Sequence, residues 1–484
     1  MNFIPLGCFY LIFKNLLLSL YQKFLKMSTD QKLEAKYGLF TAVSMVIGQV
    51  IGSGIFFKVD DVLLATQGNT LAGLLGFLIV GISVVFAGIS MANYAEILPQ
   101  GGGILNYVNY RFGATASYFV GWMYMSLFYP ALTAVLFTVS GIYIAHLLAE
   151  FMNFEPTNIH FVLIGFVNLG IFFFINIFRP KSSGIFQQMT TVLKVLPLIF
   201  IASLGILSLV KGNVSEVNTF TQIGTGVQNQ SFILLVAASF IPISFAFDGW
   251  YIATQISGEI KNSSKNLPKA LIIGTISVMV IYIAYYLGIV FRMSGEEIIQ
   301  LKDTYITEFA RKIASNSGAL IMQLFIIISV LGTSNGLLLA TIRVPYQFSD
   351  LEKSKKFLNL DKVNENTKMP VNSAIFGASL IVFYLAVYYI SNTNAFFLEK
   401  NFDLSAIPII FIYLVNGALF VGLFRLFKKK VFSRNLFFKK VMAVIAVLGI
   451  GVVLAGTFSA PNGMLYFVVN ILFFLTGFLL IKKA

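Results

Sequence analysis

Ser44-Met45-Val46-Ile47-Gly48-Gln49-Val50-Ile51-Gly52-Ser53-Gly54-Ile55-Phe56-Phe57 is an apolar run with three glycines near its middle. Each glycine weakens a helix by about 1 kcal/mol relative to alanine, so the cluster needs a physical reason. Close helix packing supplies one, because Gly48 and Gly52 have the spacing of a small-residue interface. A deliberate break supplies the other. If Gly52-Ser53-Gly54 unwinds, backbone N–H and C=O groups lie unpaired at membrane depth, and such backbone is tolerated only beside a cavity or inside protein. Amides opening the second half-helix suit a carboxylate, and free carbonyls closing the first suit an ammonium group. A zwitterion fits both ends.

Working outward, the whole chain reads as a membrane protein. Of 484 residues, 57% are hydrophobic and 11% charged, with a mean hydropathy of +0.84, well outside the usual composition of soluble domains. A spanning helix needs roughly 20 apolar residues. The uncharged runs give about twelve spans: 38–64, 70–97, 113–148, 159–178, 184–210, 231–257, 268–291, 318–346, 371–391, 402–424, 439–457 and 461–481. The expected fold class is an all-α membrane protein. With residues 1–37 inside, 26 of the 34 Lys and Arg fall in inward-facing segments and 7 in outward-facing ones, leaving Lys194 inside a span. That asymmetry predicts cytoplasmic termini at the cell membrane.

The net charge of +14 therefore reports topology, not a nucleic-acid partner. Its densest clusters, Lys428-Lys429-Lys430 with Arg434, Lys439 and Lys440, and Lys353, Lys355 and Lys356, lie in predicted inward loops, where lipid headgroups add attraction. Residues 3–20 are apolar around Lys14 but end in Lys23-Phe24-Leu25-Lys26, the wrong charge order for a secretory signal. Translation starting at Met27 is the expectation, with an interfacial helix as its rival. Ser294 to Ser317 alternates charges with Ile298, Ile299, Leu301, Ile306, Phe309 and Ile313, the pattern of a short amphipathic lid on the outer side.

Several chemistries find no support. The single Cys8 excludes a disulfide framework or thiolate metal site, and His146 and His160 are too few for a His-rich centre. Gly101-Gly102-Gly103 lacks the strand and helix of a nucleotide loop and reads as a turn. HExxH, GxSxG and Walker patterns are absent. An intramembrane enzyme would need clustered ionisable groups, whereas only Asp248 and Lys194 stand out, so no enzymatic activity and no cofactor are expected. A transporter-derived sensor or channel is the remaining class, but no large soluble signalling domain accompanies the spans.

A second break completes the pattern. In span six, Ile241-Pro242-Ile243-Ser244-Phe245-Ala246-Phe247-Asp248-Gly249-Trp250 interrupts an apolar helix with Pro242, Asp248 and Gly249. Intramembrane Asp costs about 2.5–3.5 kcal/mol on insertion scales. Asp248 therefore either caps the second half-helix or meets substrate or a proton. Breaks five spans apart predict two inverted repeats of five helices, with a midplane site between spans one and six. Lys194, alone in the run Thr190 to Gly205, either snorkels to an interface or pairs inside.

With these residues in view, residues 37–430 resemble the amino acid-polyamine-organocation superfamily, most closely its L-type branch and the bacterial serine/threonine-exchanger-like relatives. The specific pieces are Ile47-Gly-Gln-Val-Ile-Gly-Ser-Gly-Ile-Phe56, Phe245-Ala-Phe-Asp-Gly-Trp250, Gly258-Glu-Ile-Lys-Asn262 and Leu267-Pro268. Tyr94-Ala-Glu96 and Leu331-Gly-Thr-Ser-Asn-Gly336, running to Arg343, follow in the same order. The resemblance implies a LeuT-like core of 5+5 inverted repeats over residues 38–424, with helices one and six discontinuous. A cytoplasmic segment, 1–37, precedes it, and a basic loop with two accessory helices, 425–484, follows.

It also implies secondary active transport of zwitterionic, neutral amino acids by alternating access. The substrate carboxylate would meet amides at Gly52, Ser53 and Gly54, and its amino group carbonyls around Val50, Ile51, Phe245, Ala246 and Asp248. Lys194 matches a lysine that replaces the cation of sodium-coupled members, which implies sodium-independent exchange or coupling to protons. Asp248 departs from the L-type pattern, where a small residue is usual, and leaves cationic amino acids or polyamines as the alternative substrates. The outward loop between spans three and four carries no cysteine, so no disulfide-linked accessory subunit is expected.

Overall fold

The computed structural model describes residues 28–29, 35, 37–52, 54–98, 103–152, 154–211, 232–301, 305–354, 358–365, 367–394, 397, 402, 404–429, 436–459, 463–479 and 481. The expectations for residues 1–26, for Ser53, for Gly101 and Gly102, and for Lys355, Lys356, Lys430 and Arg434 fall outside them.

Ten helices among the described residues are long and apolar enough to cross a membrane: Thr70–Ile97, Ala114–Met152, Asn158–Phe178, Ile185–Ser208, Phe232–Glu259, Ser263–Val290, Tyr305–Ser349, Val371–Ser391, Ile407–Lys428 and Leu436–Ala455. They correspond to spans two to eleven. Span twelve is the shorter apolar helix Gly463–Leu479, and span one is divided into Leu39–Val50 and Gly54–Ala65. Helix ends carry ordinary capping chemistry. The Asn69 side chain accepts from the Ala72 amide at 2.9 Å, and Thr157 with His160 closes a capping box at the start of span four. His160 is thereby structural.

Spans two and seven pack together, as do spans three and eight, while span one packs on spans five and seven. The first two pairs lie five apart in the order, as equivalent members of two inverted five-helix repeats would. Spans eleven and twelve cover spans two, three and ten. Span twelve is tied on by Trp122 Nε1, donating to the Phe473 carbonyl at 3.0 Å, and by the Tyr118 hydroxyl, donating to the Gly477 carbonyl at 2.7 Å. Lipid-facing positions stay apolar, with Leu163, Ile199, Phe200 and Leu448 each about half exposed or more.

The amphipathic segment forms helix Gly295–Leu301 and the N-terminal part of Tyr305–Ser349, which kinks at Ala314 and Ser315, φ 55°. The first of these packs on Gly54–Ala65. Span three holds a turn of π-helix, Tyr124–Phe128, which periodicity alone did not suggest. On the opposite face Ser28–Thr29 pairs antiparallel with Val363–Asn364 of the loop after span eight, so both lie on one side, as an even number of intervening spans demands.

Candidate functional site

Span one ends its first half with the Ile51 amide donating to the Ile47 carbonyl at 2.8 Å. The chain then makes a tight reversal. Ile51 has φ −73° and ψ 84°, and the Gly52 amide donates to the Val50 carbonyl at 2.8 Å, the pattern of an inverse γ-turn. Helix resumes at Gly54, whose amide belongs to the first turn, where no intrahelical acceptor exists. The Gly52 carbonyl accepts from Ser329 Oγ of span eight at 3.1 Å.

The two explanations of the glycine cluster apply to different glycines. A Cβ on Gly48 would overlap Thr191 Oγ1 and come within 2.7 Å of Gln187 Nε2 of span five, so Gly48 is a packing glycine. A Cβ on Gly54 would meet the Ala246 Cα at 3.5 Å and the Phe245 ring at 3.8 Å, ordinary contacts that packing tolerates. Among the described glycines of the motif, Gly52 and Gly54 frame the break, and Ser53 between them is not described.

Span six breaks beside it. The Asp248 amide donates to the Phe245 carbonyl at 3.1 Å, ending helix Phe240–Ala246, and the chain restarts as the 3-10 helix Trp250–Glu259. Gly249 makes the reversal with φ +101°, a conformation costly for any residue with a Cβ. Its missing Cβ would lie 3.1 Å from the Gln49 carbonyl. Thus Gly54 abuts Phe245 and Ala246, and Gly249 abuts Gln49 at the end of the first half-helix.

Two side chains from other spans complete the arrangement. Tyr282 of span seven is fully buried, and its hydroxyl lies 2.9 Å from the Val50 carbonyl and 3.1 Å from the Ala246 carbonyl, spanning both breaks. Its ring packs on Phe247, centroids 4.9 Å apart. Lys194 of span five, also fully buried, donates to the Gly48 carbonyl at 2.6 Å and to Thr333 Oγ1 at 2.8 Å. Thr333 in turn has the carbonyls of Gly48, Ile51 and Ser329 within 3.2–3.3 Å of its Oγ1, which has a single hydrogen to share among them. Lys194 therefore does not snorkel. It joins span five to spans one and eight.

Asp248 is divided between two environments. Its backbone belongs to the break, but its carboxylate accepts from the Tyr251 hydroxyl at 3.1 and 3.2 Å. It lines a cavity of about 20 Å³ with Val84 of span two, Tyr413 and Asn416 of span ten, and Gly449 and Ile450 of span eleven. That is room for about one water. No span-one residue lines this cavity, and among the described residues no cation lies within ion-pair reach of Asp248. No group of three or more His, Cys, Asp or Glu able to hold a metal exists among the described residues.

Sequence reading missed Tyr282, Ser329 and the role of Thr333. Thr333 stood inside the quoted Leu331–Gly336 motif, and hydroxyls in apolar spans were its available signal. Tyr282 had no signal, since span seven holds several tyrosines of equal appearance.

Residues 37–480 match the family model described as "Amino acid permease". The chain is 28% identical to the serine/threonine exchanger SteT of Bacillus subtilis over 88% of this chain and 92% of the relative. It is 25% identical to the human cystine/glutamate transporter over 73% and 68%, respectively. With the mouse large neutral amino acids transporter small subunit 2 it shares 27% identity over 64% of this chain and 57% of the relative. Two discontinuous helices apposed at their breaks, the buried lysine beside them and a match spanning nearly the whole sequence agree: the chain belongs to the amino acid permease family.

Proposed function

We propose that this permease carries zwitterionic, neutral amino acids across the plasma membrane by alternating access, with cytoplasmic termini and without sodium. The observation that carries the reading is the apposition of the two breaks. Carbonyls of Val50 and Ala246 converge on one point, the Tyr282 hydroxyl, while the amide-bearing start of the second half-helix at Gly54 abuts Ala246 and Phe245. A carboxylate at Gly54 and an ammonium at those carbonyls would have opposite partial charges to meet. In the present conformation the Gly52 amide is committed to Val50, so a carboxylate reaching it would open that turn.

Lys194 takes the coupling role. Its ammonium holds the end of the first half-helix through the Gly48 carbonyl, the place where a bound cation would otherwise neutralise carbonyl charge. Exchange is favoured over proton symport by the SteT relative, an exchanger by name. The core is assigned to residues 38–424 with residues 425–484 accessory, and no disulfide-linked subunit is assigned.

Uptake and counterflow of radiolabelled amino acids in proteoliposomes, with and without a pH gradient, test this reading. Saturable counterflow of neutral amino acids, independent of sodium and of the gradient, is expected. Absence of competable flux with any amino acid would overturn it, and flux confined to arginine, lysine or polyamines would replace the substrate class.

A further inference from the structure

Lys58 stands four residues past Gly54 in helix Gly54–Ala65, on the same face and about 6 Å further along the axis. The site described above makes no use of it. Its ammonium pairs with the Asp61 carboxylate of the same helix and lies 5.3 Å from the centroid of the Phe245 ring. That ring is also 3.8 Å from where a Cβ on Gly54 would stand. Ammonium, ring and helix start are therefore neighbours at one edge of the break. An ordinary surface pair would leave the ammonium free to point into solvent, whereas attraction to the ring face holds this one towards span six.

The pair is also open to exchange. The Lys58 and Asp61 side chains are 24% and 41% exposed, and an ion pair that water reaches adds little to stability because both charges are screened. Asp61 can thus give up Lys58 to another carboxylate at small cost. The start of the half-helix at Gly54 carries partial positive charge of its own. A carboxylate leaving Lys58 finds a second positive partner one turn away on the same face.

We propose that Lys58 is the outer capture point for the substrate carboxylate: an incoming amino acid replaces Asp61 at the Lys58 ammonium and passes along the Phe245 ring to the amides that open the half-helix at Gly54. The assignment rests on the zwitterion and topology readings above and deepens them. Lys58 is then met on one side of the membrane only. Attraction of this kind favours encounter and is weakened by salt.

The test is Lys58→Gln in proteoliposomes of determined orientation, with L-serine as the probe, or whichever amino acid the unaltered protein exchanges best. The external half-saturating concentration is expected to rise roughly two- to fivefold, the range of a solvent-exposed charge pair, while the internal one stays unchanged. Added salt should raise the external value for the unaltered protein and barely move it for the variant. Lys58→Arg should restore both behaviours. Asp61→Asn, which removes the competing carboxylate, should lower the external value. Arg311→Gln is the control, since it takes a positive charge from the exposed Arg311–Glu308 pair on the same side of the membrane and should leave half-saturation as it was.

An unchanged external half-saturation in Lys58→Gln overturns the proposal. An equal rise on both sides overturns it too, because Lys58 would then act on the site or the fold and not on entry. So does an equal rise in Arg311→Gln, which would make overall surface charge the cause. If Lys58→Gln fails to fold, Asp61→Asn carries the test, and a raised or unchanged external value there overturns the proposal. Absence of amino-acid exchange by the unaltered protein is a different result and counts against the transport reading itself.

Discussion

Lys194 and Asp248 are both ionisable residues in apolar spans, and their surroundings give them opposite roles. Lys194 is fully buried with two strong acceptors, the Gly48 carbonyl and Thr333 Oγ1. Hydrogen bonds to charged groups are worth about 1.5–3 kcal/mol each, and the desolvation cost of the ammonium opposes them. Lys194→Met should therefore leave membrane insertion and thermal stability nearly unchanged while lowering exchange by roughly tenfold or more, the equivalent of one such bond. Uptake normalised to folded protein measures this. Asp248 has Tyr251 as its donor and lines a cavity with spans ten and eleven that no span-one residue lines. Asp248→Asn should accordingly keep the preference for neutral over cationic amino acids. A competition panel in which the variant loses arginine recognition, relative to unaltered protein, would return the carboxylate to the substrate.

At the level of the element, span one contains two kinds of glycine with distinguishable failures. Gly48→Ala drives a methyl into Thr191 and Gln187 of span five, and overpacking of this sort costs about 1–3 kcal/mol. The expected result is a lower unfolding temperature. Gly54→Ala places its methyl in ordinary contact with Ala246 and Phe245, so stability should be preserved. Its consequence should appear in transport, because the methyl stands where a carboxylate approaches the amide. Gly54→Val should abolish flux for the same reason. Equal stability loss in Gly48→Ala and Gly54→Ala would show that both serve packing alone. Span six behaves similarly at Gly249, where positive φ and the Gln49 carbonyl leave no room for a side chain.

Across the whole molecule, the end of span six is fastened to span eight by Arg343 and Glu259, fully and almost fully buried. Arg343 Nη2 donates to Glu259 Oε2 at 3.0 Å, Nε donates to Oε1, and Nη1 donates to the Leu339 carbonyl at 2.9 Å. The Tyr37 amide reaches the Glu259 backbone carbonyl at 2.9 Å, bringing the start of span one to the same point. Removing one partner of a buried pair leaves an uncompensated charge, at about 3–5 kcal/mol. Arg343→Met should therefore unfold at markedly lower temperature, and the Arg343→Met/Glu259→Met double variant should regain most of the loss. Strict additivity of the two single variants in thermal unfolding would contradict this coupling.

Sequence by itself determined the membrane class, the number and order of spans, and the two breaks. These depend on local quantities: apolar run length against bilayer thickness, the side on which charges fall, and glycine, proline or aspartate inside an apolar run. It left open whether the glycines served packing or a break, and whether Asp248 faced substrate. Only the tertiary structure set Gly48 against span five and gave the Asp248 carboxylate Tyr251 as its donor beside a cavity shared with spans two, ten and eleven. It also brought in Tyr282, 232 residues from Val50, and seated Lys194, 146 residues from Gly48. The reason is physical. A hydrogen bond across such separations depends on how helices pack and rotate against each other, and no periodicity within either helix records which hydroxyl will meet which carbonyl.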